Sequence, residues 1–258
     1  MLRIIFLGQK PIGERCFEQL WSGQNDHYRI VAAVSNRDQS EVWWNGNRIY
    51  ERCVEENIIF IDNSKRNEDQ IREVIIRENI NFIVSVGHGW IVSDEILKLV
   101  DYRAVNLHLA KLPEYQGNFT YNHAILNGEK SYGITFHWMS ARVDKGDCIF
   151  TKEFSIRDDD TAYSLYLKSV DEGVWVFRRF IDYISSGKEL PRKPMEGEGH
   201  FYSRNSLQGL REMKWNDTPQ NIARKSRAFY FPPFENAYFV IDGKKYFVYP
   251  KESDNNAK

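Results

Sequence analysis

Short apolar runs alternate with longer amphipathic stretches along the first part of the chain. The apolar runs predict strands over residues 3–7, 28–35, 58–61, 81–85 and 104–108. The stretches between them predict helices over 11–20, 48–57, 68–78 and 94–99, the last capped by Ser93. Such alternation is typical of crossover units, in which a helix connects two parallel strands. The pattern therefore predicts an α/β fold with a mostly parallel sheet flanked by helices.

The later part of the chain is less regular. It predicts a helix over 121–127, strands over 133–138 and 147–154, and a long helix over 162–185. A segment rich in Pro and Gly follows at 190–199, as in linkers and surface loops. Beyond it, a polar helix over 219–228 precedes two aromatic and β-branched runs that flank Asp242-Gly243, a pair that favours a tight hairpin. We therefore predict one domain over residues 1–188 and a small C-terminal α+β appendage over 189–258.

Composition narrows the class of protein. The 258 residues are 42% hydrophobic and 28% charged, as in a soluble globular chain with a sizeable core. No apolar stretch approaches the roughly 20 residues of a membrane span, so no membrane partner is expected. The first apolar run breaks at Gly8, too early for a signal peptide. Cys16, Cys53 and Cys148 are far apart, which indicates a reducing compartment and hence the cytoplasm.

Charge and metal-ligand spacing also limit the partners. A net charge of −1 argues against nucleic acid, because proteins that contact many phosphates carry a basic surplus. A small phosphorylated ligand stays open. His, Cys and carboxylate residues lack the spacing of metal ligands, and His123 and His137 are interpreted as packed or surface residues. A basic cluster that Glu212 and Asp217 interrupt is interpreted as a solvated helix face; it contains Arg204, Arg211, Lys214, Arg224, Lys225 and Arg227.

Three residues provide an amide, an imidazole and a carboxylate, which acyl transfer to an amine requires. Asn106 and His108 lie at the end of one predicted strand, and Asp144 lies between two later strands. The amide can donate to a developing oxyanion, the imidazole can take the proton of the amine, and the carboxylate can orient the imidazole. Taken alone, Asn106 also fits a turn cap and His108 a satisfied strand-end histidine. Their sequence context favours the catalytic interpretation.

Two glycine-containing turns follow predicted strands in the same way. Gly8 and Gly13 flank a turn after the first strand, and Gly87-His88-Gly89-Trp90 follows the fourth. Ligands of open parallel sheets bind at the carboxyl ends of the strands, so these turns and His108 are expected to converge. The first turn lacks the three-glycine spacing of a dinucleotide fingerprint. We interpret it as a tight turn with a ligand contact.

Four motifs, in order and spacing, resemble the signature of folate-dependent formyltransferases with a methionyl-tRNA formyltransferase-like catalytic domain. They are Asn106-Leu107-His108, Leu112-Pro113-Glu114-Tyr115-Gln116-Gly117, Gly133-Ile134-Thr135 and Asp144-Lys145-Gly146-Asp147. The resemblance implies a Rossmann-like catalytic domain that transfers a formyl group from 10-formyltetrahydrofolate to a primary amine. It also implies that Asn106, His108 and Asp144 are catalytic. Leu109-Ala110 and Gln116 depart from the family's Pro-Ser pair and Arg, which affects the expected substrate contacts rather than the chemistry.

The resemblance also implies binding residues. The folate is expected at Gly87, His88, Gly89, Trp90, Ile91, Met139 and Asp144, mostly through backbone groups. The acceptor is expected at Gln9, Lys10, Asn118, Tyr121, Arg204, Tyr230 and Phe231, where aromatic rings can stack on a base and cations can meet a pyrophosphate. A hydrophobic seam between the two predicted domains explains the aromatic residues equally well.

The acceptor is inferred by comparison of the branches of this family. Enzymes that formylate initiator tRNA add a C-terminal barrel, whereas 30 residues follow Ala228 here. The glycinamide ribonucleotide branch has a Gly/Ser-rich phosphate loop, unlike Gln9-Lys10-Pro11-Ile12. The stretch at 227–234 is similar to sugar N-formyltransferases, which formylate nucleotide-linked amino-dideoxy sugars for surface polysaccharides such as the O-antigen. Formyl transfer to an amino acid or hydroxylamine-type acceptor, or a catalytically inactive nucleotide-binding module, are the alternatives.

The predicted hairpin at 238–249 leads to an expectation about assembly. Its aromatic residues fall on both faces of a two-stranded ribbon, and an isolated ribbon is marginal in water. A second subunit is the simplest cover for one face. Sugar N-formyltransferases commonly pair through their C-terminal parts, so the resemblance also favours a homodimer built from residues after Lys188.

Overall fold

The computed structural model describes residues 1–37, 43–44 and 46–251. Within these ranges the strands, in chain order, are β1 (Leu2–Gly8), β2 (Tyr28–Ser35), β3 (Ile59–Asp62), β4 (Phe82–Val86), β5 (Ala104–His108), β6 (Tyr115–Gly117), β7 (Ser131–Trp138), β8 (Cys148–Ser155), β9 (His200–Tyr202), β10 (Tyr238–Ile241) and β11 (Lys244–Phe247). The helices are α1 (Lys10–Ser22), α2 (Arg48–Glu55), α3 (Glu68–Arg77), α4 (Asp94–Leu99), α5 (Thr120–Asn127), α6 (Ala162–Ser185) and α7 (Pro219–Ala228). No helix in these ranges is long and apolar enough to cross a membrane.

The main sheet has the strand order β3-β2-β1-β4-β5-β7-β8 among the described residues. The pairs from β3 to β5 are parallel, and β5 with β7 is antiparallel. All five residues of β4 are buried, as expected for a central strand covered by helices on both faces. The predicted α/β fold is confirmed. β1, β4 and β5 run in the same direction, so Gly8, Val86 and His108 end at one edge of the sheet.

The contacts divide the chain into two compact units that interleave along the sequence. The first unit contains residues 1–108, 134–152 and 170–197, and the second contains 109–133, 153–169 and 198–258. The predicted single division after residue 188 stays a prediction. The first unit contains most of the sheet together with the strand ends that carry Asn106 and His108, so the candidate site described below belongs to it.

The core of the first unit packs around aromatic rings and branched side chains. Phe136 contacts both Phe177 and Phe180 of α6, with ring centroids 6.0 and 4.9 Å apart. Phe6 of β1 packs edge-to-face on Phe17 of α1 at 5.2 Å. All five rings are fully buried. Burial of aromatic surface on this scale is a major stabilising contribution, and it fixes the strands that carry the polar residues.

The second unit contains two small sheets and two helices that contact each other, α5 and α7. β6 and β9 pair in parallel, and β10 and β11 form the antiparallel hairpin. Asp242 and Gly243 both have positive φ, 48° and 74°, which is the backbone of a type I′ turn and confirms the predicted hairpin. The parallel pair β6–β9 is absent from the sequence-based predictions. Its three-residue strands carry no alternating pattern.

Candidate active site

The strand pair β5–β7 places three polar side chains in neighbouring positions. In the antiparallel register, Asn106 lies opposite His137, and His108 lies opposite Thr135. Side chains alternate between the two faces of a strand, so Asn106 and His108 share a face, whereas Val105 and Leu107 pack into the core on the other. The pairing therefore brings an amide and two imidazoles together at the carboxyl end of β5.

His137 is the most enclosed of these groups, with 2% of its surface exposed. Its Nδ1 lies 2.8 Å from the carbonyl oxygen of Trp138, which can only accept, so Nδ1 carries the proton. In this tautomer Nε2 accepts from the Asn106 Nδ2, 3.1 Å away. This hydrogen bond fixes the plane of the Asn106 amide. The fixed plane of the amide also sets the direction of the second Asn106 N–H. That N–H can therefore act as a preorganised oxyanion donor.

Asp144 lies on the loop that follows β7 and has a left-handed backbone, with φ of 53°. A Cβ at Gly146 would lie only 1.8 Å from the carbonyl oxygen of Trp138, so this position needs glycine. The Trp138 N–H also donates to the Asp147 carbonyl at 2.8 Å. The loop is therefore held tightly to the end of β7. Asp144 keeps an unfavourable left-handed backbone there, although it is not a glycine.

The Asp144 carboxylate lies between the two imidazoles. Its Oδ2 is 3.8 Å from the His108 Nδ1, and its Oδ1 is 3.5 Å from the His137 Nε2. The Asp144 and His108 side chains are only 8% and 12% exposed, so the charges interact through protein rather than water. A carboxylate in this position stabilises positive charge on either ring. The cluster can thus accept a proton during a reaction and donate hydrogen bonds to a developing anion.

The loop after β4 packs against the turn after β1. Gly87 has a φ of +66°, and a Cβ there would lie 2.8 Å from the Gln9 carbonyl oxygen. At Gly89 a Cβ would lie 2.6 Å from the Gln9 side-chain nitrogen. The two glycines let these segments approach closely and leave backbone groups accessible to a ligand. The structure therefore brings the predicted folate loop and the predicted acceptor residue Gln9 into contact.

A cleft beside this loop is lined by His88, Trp90 and Ile91. The Trp90 indole N–H donates to the Asn63 carbonyl at 3.3 Å, which fixes the plane of the ring. Burial lowers the pKa of His88 to about 4, although Glu68 raises it, so the ring is neutral near pH 7. The rest of the lining is partly apolar, with Leu7, Ile71, Val92 and Ile96, and partly polar, with Asn63, Arg66, Asn67 and Glu68. Met139 packs against the same core as Val92. The structure thus brings His88, Trp90 and Ile91 of the predicted folate site together in one lining.

A family model described as formyl transferase matches residues 2–181, about 70% of the chain. The match contains every residue of the cluster around Asp144. The chain belongs to the formyl transferase family. It is an enzyme that transfers a formyl group, and its formyl donor is 10-formyltetrahydrofolate.

Relatives of this formyltransferase act on different acceptors. A GDP-perosamine N-formyltransferase of Brucella melitensis is 30% identical over 183 residues, 70% of this chain and 69% of the relative. A methionyl-tRNA formyltransferase of Caldanaerobacter subterraneus is 26% identical over 255 residues, 97% of this chain and 81% of the relative. The structure is similar to that of a 4-N formyltransferase from Francisella tularensis, with a TM-score of 0.78 and 22% identity over 96% of both chains. An N-formyltransferase from Helicobacter canadensis gives a TM-score of 0.75 at 22% identity over 95% of this chain and 86% of that one.

The predicted acceptor residues of the formyltransferase lie in both units. Gln9 and Lys10 lie at the start of α1 in the first unit, where Lys10 has a φ of 68°. In the second unit, Tyr121 and Phe231 lie together, with ring centroids 5.9 Å apart. Tyr230 contacts Tyr249 at 6.4 Å. Asn118 and Arg204 flank the β6–β9 pair, and the Asn118 N–H donates to the Tyr202 carbonyl at 2.8 Å.

His137 is a candidate site residue of the formyltransferase that the sequence did not identify. Its interpretation as a packed or surface residue is correct for burial, but the structure adds contacts to Asn106 and Asp144. The signal that could have found it is the antiparallel register of β5 and β7, which a pattern of apolar residues does not reveal. Among the residues that the structure describes, no three His, Cys, Asp or Glu side chains form a group that could hold a metal ion.

Proposed function

We propose that this formyltransferase acts on the amino group of a nucleotide-linked amino-dideoxy sugar, such as a dTDP- or GDP-linked 4-amino-4,6-dideoxyhexose. The observation that carries the proposal is the fold similarity to the 4-N formyltransferase of Francisella tularensis, which extends over nearly the whole of both chains. The Helicobacter neighbour is described in complex with folinic acid and dTDP-3-aminofucose. The relationship to a GDP-perosamine N-formyltransferase supports the same acceptor class.

The catalytic cluster stabilises the charges of this reaction. When the neutral amine of the sugar attacks the formyl carbon, negative charge develops on the formyl oxygen and positive charge on the nitrogen. The Asn106 N–H, whose direction His137 fixes, donates to that oxygen. One such donor lowers the activation free energy by about 2.7–4 kcal/mol. His108 receives the amine proton, and Asp144 stabilises the imidazolium that forms. The proton then passes to the folate nitrogen as its bond to the formyl carbon breaks and tetrahydrofolate leaves. The His108 and Asp144 side chains are both largely buried, and this strengthens the electrostatic interaction between them.

The second unit offers an aromatic surface that suits a nucleoside. Phe231 contacts the rings of Tyr163 and Tyr166 in addition to Tyr121, at 5.3 and 5.6 Å. Phe234 packs on Phe231 at 5.9 Å and is 55% exposed. A base can stack on the exposed Phe234 ring, and Arg204 of the same unit provides a cation for a diphosphate. These contacts support the predicted acceptor residues, which remain a proposal.

Formylation of initiator tRNA is the competing function, because methionyl-tRNA formyltransferases match almost the whole chain. Against it stands the net charge of −1. Proteins that bind tRNA neutralise many phosphates, and they usually carry a basic surplus for that purpose. The basic residues of the second unit are also partly neutralised, since Lys225 pairs with Asp217 at 2.8 Å and Lys214 pairs with Glu212. We therefore favour the small nucleotide sugar.

An acceptor panel tests the proposal. The purified protein is incubated with 10-formyltetrahydrofolate and, separately, with dTDP- and GDP-linked amino-dideoxy sugars, initiator methionyl-tRNA and free amino acids, and Asn106→Ala serves as the inactive control. We expect kcat/KM for one nucleotide sugar to exceed that for tRNA at least a hundredfold. Efficient formylation of tRNA, or of an amino acid alone, would contradict the proposal.

We also propose the setting of this reaction. The three cysteines are free thiols, which supports a reducing compartment, the cytoplasm. Synthesis of a surface polysaccharide such as the O-antigen is the process that uses N-formylated sugars of this class. Exposed aromatic side chains of the hairpin, including Tyr246 at 51% and Tyr249 at 63%, support a homodimer that pairs through the C-terminal residues.

A further inference from the structure

A cavity of about 700 Å³ opens in the first unit at the edge of the sheet opposite to the catalytic cluster. Leu2 and Phe82, the first residues of β1 and β4, line it, together with Arg103 just before β5. Along β5, Asn106 and His108 lie three and five residues beyond Arg103, about 10 and 16 Å at roughly 3.3 Å per residue. The volume lies within the usual range of small-molecule sites. Neither the formyl donor nor the proposed acceptor accounts for this cavity.

The floor of the cavity is apolar and firmly packed. Phe82, Trp138 and Ile184 are 2%, 7% and 4% exposed. The rings of Phe82 and Trp138 meet edge-to-face at 6.1 Å, and Phe82 stacks on Phe180 at 6.3 Å. Side chains packed in this way present a fixed surface, which suits a flat, rigid ligand.

Residues 187–193, the strap that follows α6, form the wall of the cavity, and hydrogen bonds hold this strap at several points. The Trp138 indole N–H donates to the Pro191 carbonyl at 2.9 Å. Lys193 and Cys148 exchange two backbone hydrogen bonds, of 2.8 and 3.0 Å. Gly187 begins the strap with a φ of +67°, and a Cβ there would lie 3.1 Å from the His27 ring. The cavity is therefore built by the fold.

Three cations face this apolar floor. The Arg192 guanidinium lies 3.8 Å from the centroid of the Trp138 ring, and the Arg103 guanidinium lies 6.0 Å from that of Phe82. When a guanidinium lies flat on a ring, the N–H groups at the edge of the guanidinium can still bind two oxygens of one anion. Lys188 adds a third positive charge, and Glu189 is the one carboxylate among the described residues of the lining. The side chains of the lining thus have a formal charge of +2, with His27 and the Met1 amine uncounted.

The counter-charge of Arg192 is weak. The Asp147 carboxylate lies 3.9 Å from its Nη1, and the two side chains are 52% and 41% exposed. Exposed ion pairs of this kind contribute little, so an incoming anion can replace Asp147 at small cost. A phosphate can accept from two N–H groups at the edge of the Arg192 guanidinium, which the long single contact with Asp147 does not do.

We propose that this cavity is a second ligand site, separate from the catalytic one, that binds a nucleoside monophosphate. The base lies on the surface formed by Phe82, Ile184 and Leu190, and the phosphate lies between Arg103 and Arg192. Both halves of the ligand are needed, because the floor offers no charge and the cations offer no apolar area. Three cations in one small lining select the phosphate over the uncharged nucleoside.

Binding of AMP and dTMP by isothermal titration calorimetry tests this site, and it requires neither folate nor acceptor. We expect the double variant Arg103→Gln/Arg192→Gln to weaken the affinity at least tenfold relative to the wild type. Arg179→Gln is the matched control, because the Arg179 guanidinium also lies over a ring, that of Phe150 at 4.6 Å, but outside this lining. It should leave the affinity unchanged. Equal affinity of the wild type and the double variant would overturn the proposal.

Two further measurements locate the ligand and define its chemistry. Crystals soaked with 8-bromo-AMP should give an anomalous bromine peak next to Phe82, and bromine peaks confined to other places would overturn the proposal. Inorganic phosphate and adenosine should each bind at least tenfold more weakly than AMP. If either alone binds as tightly as AMP, a nucleoside monophosphate is the wrong ligand class. Thermal unfolding verifies that each variant is folded.

Discussion

Two antiparallel strand pairs in this molecule depart from the usual distribution of side chains in opposite ways. The pair β5–β7 encloses polar groups, with His137 only 2% exposed. The hairpin β10–β11 exposes apolar groups, with Tyr246 and Phe247 51% and 40% exposed. Folding alone favours neither arrangement, because buried polar groups need partners and exposed apolar groups stay in water. We interpret this difference as chemistry at the first pair and, as proposed above, association at the second.

The enclosed polar groups are stable because they satisfy one another. His137 uses both of its ring nitrogens, one with Trp138 and one with Asn106. A buried donor or acceptor without a partner costs about 1–3 kcal/mol. The same hydrogen bonds that remove this cost also fix the amide plane of Asn106, on which its proposed oxyanion role depends. In the hairpin, by contrast, the stack of Trp215 on Phe239 at 4.8 Å still leaves Trp215 75% exposed.

Removal of the catalytic groups should give the largest effect. We expect Asn106→Ala to lower kcat a hundred- to thousandfold, about 2.7–4 kcal/mol, because it removes an oxyanion donor. His108→Asn should lower kcat at least about a hundredfold. Steady-state kinetics on folded protein measures both. Asn81→Ala is the control, since that amide accepts from the Arg3 N–H, 2.8 Å away, at the other end of the strands. Near-normal turnover of Asn106→Ala or His108→Asn would refute their assignment.

The pH dependence of folding tests burial in the cleft. Burial lowers the pKa of His88 to about 4, below the value of about 6.5 in an unfolded chain. The unfolded state therefore binds the proton first, and stability from this residue is complete above pH 6.5 and is lost as the pH falls towards 4. The loss is at most about 3 kcal/mol. Urea unfolding of the wild type should show a steeper decline between pH 6.5 and 4 than that of His88→Gln. Parallel declines would contradict the burial of His88.

Substitution of His137 should give an intermediate effect on both folding and turnover. His137→Phe removes the acceptor of Asn106 and the donor to Trp138, so we expect a loss of about 1–3 kcal/mol in unfolding free energy and roughly tenfold slower turnover. His123→Phe is the matched control, because His123 is also buried and contacts the Ser206 hydroxyl at 2.8 Å in the second unit. It should lose stability without losing turnover. If both variants retain full kcat, His137 does not position Asn106.

Charges on the hairpin should change assembly and leave the chemistry nearly intact. The double variant Tyr246→Lys/Phe247→Lys should convert a dimer into a monomer in sedimentation equilibrium, because it places two cations in the apolar surface. Turnover should stay within about twofold of the wild type. Ile76→Lys changes an isolated apolar residue that is 60% exposed on α3, and it should remain dimeric. A wild type that is monomeric at micromolar concentration would contradict the expected association.

The sequence predicts much of the fold because long periodic segments leave little choice of structure. The predicted bounds of β2, β5, α4, α6 and α7 agree with the structure, and the others differ by a few residues. The turn at Asp242-Gly243 is predicted from its backbone requirements alone. The pair β6–β9 is different, since its strands are three residues long and are separated by more than 80 residues. Long-range pairing of short polar strands leaves no local signal.

The candidate site is predicted only in part for a similar reason. Asn106, His108 and Asp144 belong to motifs with fixed spacing, so the sequence identifies them. His137 acts through its position opposite Asn106, and that register depends on how the two strands pair. The cavity at the other edge is also invisible in the sequence, because its lining comes from five separate segments around residues 1–2, 27, 82, 103 and 138 and from the strap.

The proposed formyl transfer to a nucleotide-linked amino sugar is tested most directly by tracing the formyl group itself. Folate with an isotope-labelled formyl group is mixed with the enzyme and a nucleotide-linked amino-dideoxy sugar, and mass spectrometry locates the label. We expect label in an amide on the sugar with the wild type, and at least a hundredfold less in the same time with Asn106→Ala. Label that stays on the folate with every nucleotide sugar, or that appears in methionyl-tRNA instead, would contradict the proposal.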